Sequence, residues 1–414
     1  MASSGWRRCT SPRRRPLSAI NPAPWTPRRV FVVALGNAHN DGWRTTPGKG
    51  GSMRDPGTKM NGMPAPGSWR TDVWLRLREI VTSAPPDQRM AVFDFDNTLG
   101  RFDIGEETCA CLVKEGLIKT FSRRFWDLQA ADDERPQPTW FDDYYQRLAN
   151  LRDHSGEQAD PGAAYAWCVQ IMAGLDAASV VECTGRAFDR LARRLPSVDQ
   201  YFFPEMVELL CLLVNTGFRC CIVSSTNTWS VRWLVRTHLN PLLARRCRGR
   251  CIDLSDVRGI SVLLVDRRTG AITRDAELLR RDEGYDRLDM DSLRRYRLTA
   301  HLDFPVPVAH GKATVVNECL SCSKPWLAVG DSLNDLAMLQ IASYRLWLAW
   351  MDKPEVQRPA GAVIGLEPGA WLVQPVIGKP PRFYTTEELA TIDQQSGEAP
   401  AAPEVRLSRT LLGF

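Results

Sequence analysis

The stretch Met90-Ala91-Val92-Phe93-Asp94-Phe95-Asp96-Asn97-Thr98-Leu99 opens with four apolar residues and runs into two acids two positions apart. Four apolar residues in succession suit a strand buried on both faces. On an extended backbone, residues i and i+2 project to the same side. Asp94 and Asp96 therefore stand together where the strand ends. In open α/β sheets ligands bind outside that carboxyl edge. Two carboxylates so close repel each other unless a cation or a shared proton compensates.

The same strand-then-polar arrangement recurs downstream. Residues 205–216 have helical spacing, with Met206, Leu209, Leu210 and Leu213 on one side. A short buried-type strand, 218–223, follows and runs into Ser224-Ser225-Thr226-Asn227, and a helix is expected over 228–238. A helix over 312–320 precedes a strand at 326–329, which ends in Gly330-Asp331-Ser332-Leu333-Asn334-Asp335. A last strand is expected at 344–348. Strands alternating with helices predict an α/β fold built on a Rossmann-like, doubly wound parallel sheet.

Between the first strand and the second unit the pattern is helical throughout, over 104–117, 140–151, 163–172 and 177–195. This predicts an inserted all-helical cap domain. The expected organisation is a basic, irregular leader (1–66), a first core segment (67–100), the helical cap (101–200), a second core segment (201–378) and a Pro- and charge-rich tail (379–414). Within the second core segment, 259–272 reads as a hairpin and 276–295 as a charged surface segment.

The net charge of +5 is unevenly spread. Residues 1–70 carry 12 Lys/Arg against 2 Asp/Glu, whereas the remaining 344 carry 41 against 46. The basic balance belongs to the leader, which is read as a disordered tail or an over-long start with Met53, Met60 or Met63 as the true one. No nucleic-acid partner is therefore expected. No apolar run approaches the roughly 20 residues that a membrane helix needs. Of the 12 cysteines, Cys109, Cys111, Cys168, Cys211, Cys220 and Cys221 lie in apolar segments, as free thiols do. Without an export signal, reduced thiols in the cytoplasm are the expectation. Cys247, Cys251, Cys319 and Cys322 are not read as a zinc site, because the CxxC falls in and just after a helical pattern. Oligomeric state is left open by the sequence.

The polar residues after the strands share one chemistry. Asp94, Asp96 and Asp331, with Asp335 and Asn334 beside them, make a site for a hard cation, and few ligands with open positions favour Mg²⁺. Lys312 and Ser224 are suited to phosphate oxygens. His238, His301 and His310 are read as structural. Trp126, Trp140, Tyr144, Tyr145 and Trp167 are read as core first, and as a cage for a quaternary ammonium second. Glu106 and Glu107 are placed to meet a substrate amine or to face solvent.

Asp94-x-Asp96-x-Thr98, Ser224, Lys312 and Gly330-Asp331-x-x-Asn334-Asp335 resemble the four ordered motifs of the haloacid dehalogenase superfamily. The long helical insertion resembles the first-type cap of its phosphoserine phosphatase-like members. Val223-Ser224-Ser225-Thr226 and Phe203-Pro204-Glu205-Met206 resemble the phosphorylcholine phosphatase-like ones. The resemblance covers about residues 88–350. It implies a hydrolase acting on a small phosphomonoester through an aspartyl-phosphate. Asp94 would be nucleophile and magnesium ligand; Asp96 would be acid and base, and a ligand through its backbone carbonyl. Asp331 would be a further ligand. Ser224, Ser225, Lys312 and Asn334 would hold the phosphoryl group, with Asp335 and Thr98 supporting the shell. Asp96 argues against carbon–halogen cleavage, because the family's dehalogenases lack an acid there. Ser225-Thr226 stands where phosphoserine phosphatases usually have Gly-Gly. Phosphotransfer to another acceptor, or an idle scaffold of the same fold, are the alternatives.

Overall fold

The computed structural model describes residues 68–118, 162–247, 249–378, 380–394 and 402–413. The expected leader, most of the tail's linker and the cap aromatics Trp126, Trp140, Tyr144 and Tyr145 lie outside the described residues.

A seven-stranded sheet forms the centre. Its strands are β1 (Met90–Phe93), β2 (Arg219–Asn227), β3 (Val257–Ile260), β7 (Leu327–Gly330), β8 (Tyr344–Trp350), β9 (Trp371–Ile377) and β10 (Arg382–Phe383). They lie in the order β10-β9-β8-β7-β1-β2-β3. All pairings are parallel except β9 with the two-residue β10. The chain leaves β1 toward β2 and β3, then crosses to β7 on the other side of β1. The order therefore reverses between β1 and β7, which opens a crevice at their carboxyl ends.

β1 shows why the apolar run is needed. Its alternate residues feed two different cores. Ala91 and Phe93 join the large cluster that includes Leu77, Leu209 and Leu213. Met90 and Val92 pack with Cys221, Val223, Val315, Val316 and Met338 on the opposite face. The helices α1 (Thr71–Ser83) and, between β1 and β2, α2 (Ile104–Lys114), α3 (Gly162–Gln170), α4 (Ala177–Ala192) and α5 (Pro204–Asn215) carry the large cluster's other residues. The described residues between β1 and α5 contain no strand, and the helix expected over 140–151 lies outside the described residues. α4 shows the pattern best: Asp176 caps it by accepting from Ser179 N–H at 2.9 Å, and its apolar face is buried.

The structure corrects several expectations. The run expected as one hairpin is divided at Ser261: β3 belongs to the central sheet, and β4 (Val262–Asp266) pairs with β5 (Ile272–Thr273) and β6 (Tyr296–Leu302) in a separate antiparallel sheet. The segment read as charged surface forms three short helices over Asp275–Arg281, Glu283–Asp286 and Met290–Arg295. They bury Leu278, Tyr285 and Leu293. Their anchor is an ion pair between fully buried Arg232 and Asp275, with guanidinium-to-carboxylate distances of 2.7 and 2.8 Å. Tyr344–Trp350 is not the last strand, since β9 and β10 follow. The expected tail contains helices Thr386–Gln394 and Ala402–Leu412, whose Leu389 and Val405 are buried in the core beside β8 and β9. Cys211 and Cys247 are joined by a disulfide, where free thiols were expected. No described helix is long and apolar enough to cross a membrane.

Candidate active site

The crevice at the β1/β7 switch point collects the residues singled out above. It is open to solvent and lined by Asp94, Asp96, Ser224, Ser225, Lys312, Asp331 and Asn334, together with Asn97, Asp103, Tyr165, Thr226 and Ser332. Asp335 and Thr98 sit beneath the lining.

Each strand ends so as to deliver its group. The Asp94 N–H donates to Val329 C=O at 2.9 Å, which ties the start of the Asp-x-Asp turn to β7. Asn97 adopts φ 60° in the same turn, a left-handed geometry that asparagine tolerates. On β7, Gly330 allows the close approach of Asp335: a Cβ at residue 330 would lie 2.6 Å from the Asp335 Cβ. The sequence predicted that β2 would end at residue 223. It continues to Asn227, but its register with β3 shifts between Val223 and Asn227. That irregularity lifts residues 224–226 out of a regular ladder and turns their hydroxyls toward the crevice.

Lys312 is the centre of charge. Its ammonium, on a side chain only 1% exposed, donates to Asp94 Oδ1 and Asp335 Oδ1, each at 2.6 Å. The other oxygen of Asp335 accepts from Asp331 N–H, Ser332 N–H and the Ser332 hydroxyl at 3.1, 2.9 and 2.9 Å. Asp335 is thus fully engaged and buttresses its neighbours. Thr98 donates to Asp331 Oδ1 at 2.8 Å. The turn that precedes Lys312 is pinned at Ala309, whose N–H donates to Asn334 Oδ1 at 2.6 Å and whose φ is 47°. Asn334 Nδ2 in turn donates to Ser225 Oγ at 2.6 Å, and Ser225 donates to Pro307 C=O at 2.9 Å.

Asp96 has different surroundings. Its Oδ1 accepts from Ile104 N–H at 2.9 Å, and its Oδ2 accepts from the Thr226 hydroxyl at 2.6 Å and from Ser224 Oγ at 3.3 Å. Neither Thr226 nor Ile104 stood out in the sequence as a site residue. Thr226 drew notice within the Val223–Thr226 resemblance and as a departure from Gly-Gly, not for a role of its own, and a bond to a carboxylate 130 positions away leaves no local pattern.

Electrostatics follow from burial. Four carboxylates (Asp94, Asp96, Asp331, Asp335) are all less than 10% exposed, and among the described residues Lys312 is the ammonium bonded to any of them. Burial pushes the Asp94 carboxyl from 3.8 to about 7, with the charge of Asp335 adding to the shift and Lys312 opposing it. Burial also raises Asp96 well above the usual range, with Asp103 adding and the bonds from Thr226 and Ile104 opposing. Asp331 is raised by burial, then by Asp335 and Asp94. Burial alone would lower Lys312, but its two carboxylate partners outweigh that and hold it charged. The donor set fits a divalent cation: oxygens of Asp94, Asp331 and Asp335 all lie within 4.8 Å of one another, and with Asp335 already engaged, Asp94 and Asp331 are the carboxylates left to ligate. A second cluster, Cys111, Glu115 and Cys183, already holds a cation, because Arg186 grips both Glu115 oxygens at 2.7 and 2.6 Å.

A smaller recess, with room for little more than one water molecule, adjoins the crevice and shares Asp103, Tyr165, Ser225 and Thr226 with it. Glu106 lines it, as do Cys109, Cys168 and Met172. Glu107 points elsewhere, 3.9 Å from both Arg190 and Arg194. Trp167 is buried in the core. His238 stacks on Phe188 at 4.0 Å between ring centres, and Cys247 is committed to its disulfide.

No protein-family model matches the chain, and no curated protein matches it. Among solved structures, one of unknown function from Anaerococcus prevotii is 16% identical, covering 76% of this chain and 95% of that one, at a TM-score of 0.44. A substrate-bound phosphoserine phosphatase is 13% identical over 63% of this chain and 86% of its own, at 0.33. A cytosolic 5'-nucleotidase IIIB bound to cytidine is 12% identical over 83% and 93%, at 0.39. At these scores the likeness carries no statement about this chain's activity or substrate. In the order of its motifs, and in the gathering of Asp94, Ser224, Lys312 and Asp331 at one sheet edge, the chain resembles the hydrolases of the haloacid dehalogenase superfamily.

Proposed function

We propose that this chain is a magnesium-dependent phosphatase that hydrolyses a small phosphomonoester through an aspartyl-phosphate on Asp94. The observation that carries this reading is the unequal treatment of two neighbouring acids. Asp94 is held by an ammonium, whereas Asp96 is held by an N–H and a hydroxyl in a buried wall. Pairs of carboxyls driven apart in this way divide into nucleophile and proton carrier.

Lys312 occupies Asp94 Oδ1, which leaves Oδ2 to attack phosphorus. The bond from phosphorus to the alcohol oxygen breaks, and protonated Asp96 gives that oxygen its proton. Asp96, now a carboxylate, takes a proton from water as the water oxygen attacks the same phosphorus. The bond to Asp94 breaks, phosphate leaves, and both acids return to their starting states. Lys312 and Ser224 would face the phosphoryl oxygens; Asn334 keeps a second Nδ2 hydrogen for the same wall, while the Ser225 hydroxyl, committed to Pro307 C=O, holds Asn334 in place. A magnesium ion held by Asp94, the Asp96 carbonyl and Asp331 would offset the remaining negative charge and polarise the phosphoryl group. The helices between β1 and β2 would act as the cap that excludes water during phosphoryl transfer.

The acids around the crevice and the adjoining recess bear on the alcohol part. Among the recess's described lining residues are Asp103 and Glu106 but no Lys or Arg. This supports a substrate of the phosphoserine or phosphocholine type, since both carry a cationic nitrogen. A panel of phosphomonoesters assayed for phosphate release with Mg²⁺ tests the reading. Release from at least one small member is expected, and it should vanish in Asp94→Asn. An inert parent protein across the panel would favour an idle scaffold instead.

A further inference from the structure

Thr226 occupies a position that the mechanism above does not use. It lies in the irregular end of β2, is 7% exposed, and borders both the crevice and the adjoining recess. A buried threonine hydroxyl commonly bonds to nearby backbone. Here it donates to Asp96 Oδ2 at 2.6 Å instead, and the Thr226 N–H donates to Ser224 Oγ at 3.1 Å. The same side chain presses on α2. A Cβ at Gly105 would lie 2.3 Å from Thr226 Oγ1 and 3.1 Å from its Cγ2, so only glycine fits opposite this threonine.

These contacts decide which oxygen of Asp96 can carry a proton. Oδ1 faces the Ile104 N–H, a donor that only a lone pair can meet. An acid proton therefore belongs on Oδ2. Oδ2 has two hydroxyl donors, Thr226 at 2.6 Å and Ser224 at 3.3 Å; a hydroxyl can turn, unlike the Ile104 N–H, so with the longer Ser224 contact released Oδ2 can carry a proton, donate it outward and still accept from Thr226. A glycine at this position would supply no such bond.

We propose that Thr226 is the positioning residue for Asp96: its hydroxyl aims Oδ2 at the leaving-group oxygen, and its seat against Gly105 ties that aim to the docking of α2 on β2. The inference rests on the reading of Asp96 as the proton carrier. In the first half-reaction the proton on Oδ2 passes to the alcohol oxygen as the phosphorus–oxygen bond breaks. In the second, Oδ2 receives a proton from the attacking water. Thr226 exchanges no proton in either step.

The test compares the parent with Thr226→Val, which keeps the shape and removes the hydroxyl, and with Thr226→Ser, which restores it. Two substrates are used: p-nitrophenyl phosphate, whose leaving group needs little protonation, and ethyl phosphate, whose alkoxide needs it fully. General acid catalysis is worth roughly 100- to 10,000-fold. Loss of its aim is expected to cost Thr226→Val about 10- to 100-fold in kcat on ethyl phosphate. The loss on p-nitrophenyl phosphate should be only a few-fold, with KM on both within about twofold and Thr226→Ser recovering most of the ethyl phosphate rate. Should Thr226→Val not fold, Thr226→Ala carries the same comparison. Equal losses on the two substrates, no loss on either, or failure of serine to restore the rate would overturn the inference. A parent that hydrolyses neither substrate, or an Asp94→Asn variant as active as the parent, would instead overturn the function on which it rests.

Discussion

Lys312→Met is the perturbation with the most to say about how the site is held together. The ammonium sits 2.6 Å from Asp94 Oδ1 and 2.6 Å from Asp335 Oδ1, and all three side chains are buried. Methionine fills nearly the same volume but removes the charge. Breaking a buried pair by deleting one partner costs about 3–5 kcal/mol, because the other charge is left uncompensated. The pH dependence makes the test specific. The Asp94 carboxyl is raised in the folded protein, from 3.8 to about 7. Its contribution to stability is therefore complete below its ordinary value and is lost as the pH climbs through about 7. Without Lys312, which opposes that rise, the Asp94 carboxyl stays protonated to higher pH. At a mildly acidic pH of about 5 the variant can meet the loss by holding protons; at about pH 8 it cannot. Urea denaturation without divalent cations should show a gap between parent and variant of about 1 kcal/mol at the acidic pH, widening to about 3–5 kcal/mol at the alkaline one. A gap independent of pH, or no gap on the alkaline side, would refute the reasoning that Lys312 compensates ionised carboxylates.

Two further outcomes follow from the same electrostatics. Mg²⁺ should raise the thermal midpoint more at about pH 8 than at about pH 5.5, since Asp94 and Asp331 must lose protons to bind it; Asp331→Asn should abolish the shift, and a shift that shrinks as pH rises would contradict the assignment. Asp275→Asn, remote from the crevice, leaves buried Arg232 without its charge partner. It should destabilise the fold by about 3–5 kcal/mol in chemical denaturation while leaving the Mg²⁺ shift in place, and a neutral result would show that the pair is dispensable.

Much of the site could be read from the chain because its chemistry is written at strand ends. Asp94, Ser224 and Asp331 each follow a short apolar run, and three such runs can only converge at one edge of a parallel sheet. What stayed hidden is long-range or runs against local rules. β9 contains Gln374 and Pro375, which argue against a strand, yet it pairs in parallel with β8 and is covered by β10. The helix over Ala402–Leu412 follows a Pro- and charge-rich stretch that reads as a tail. It is held by burying Val405 and through Ser408, whose hydroxyl donates to Met351 C=O at 2.8 Å. The Cys211–Cys247 bond could not be read from spacing, because pairing depends on the fold. Thr226 and Ile104 acquire meaning only once α2 is docked against β2.

The central claim is that Asp94 carries the phosphoryl group. Rapid acid quenching during turnover of a substrate from the panel, followed by peptide mass spectrometry, tests it directly. The account predicts a phosphoryl adduct on Asp94 that forms and decays with turnover and is absent from Asp94→Asn. Steady phosphate release with no adduct at Asp94, or with the adduct on another residue, would contradict it.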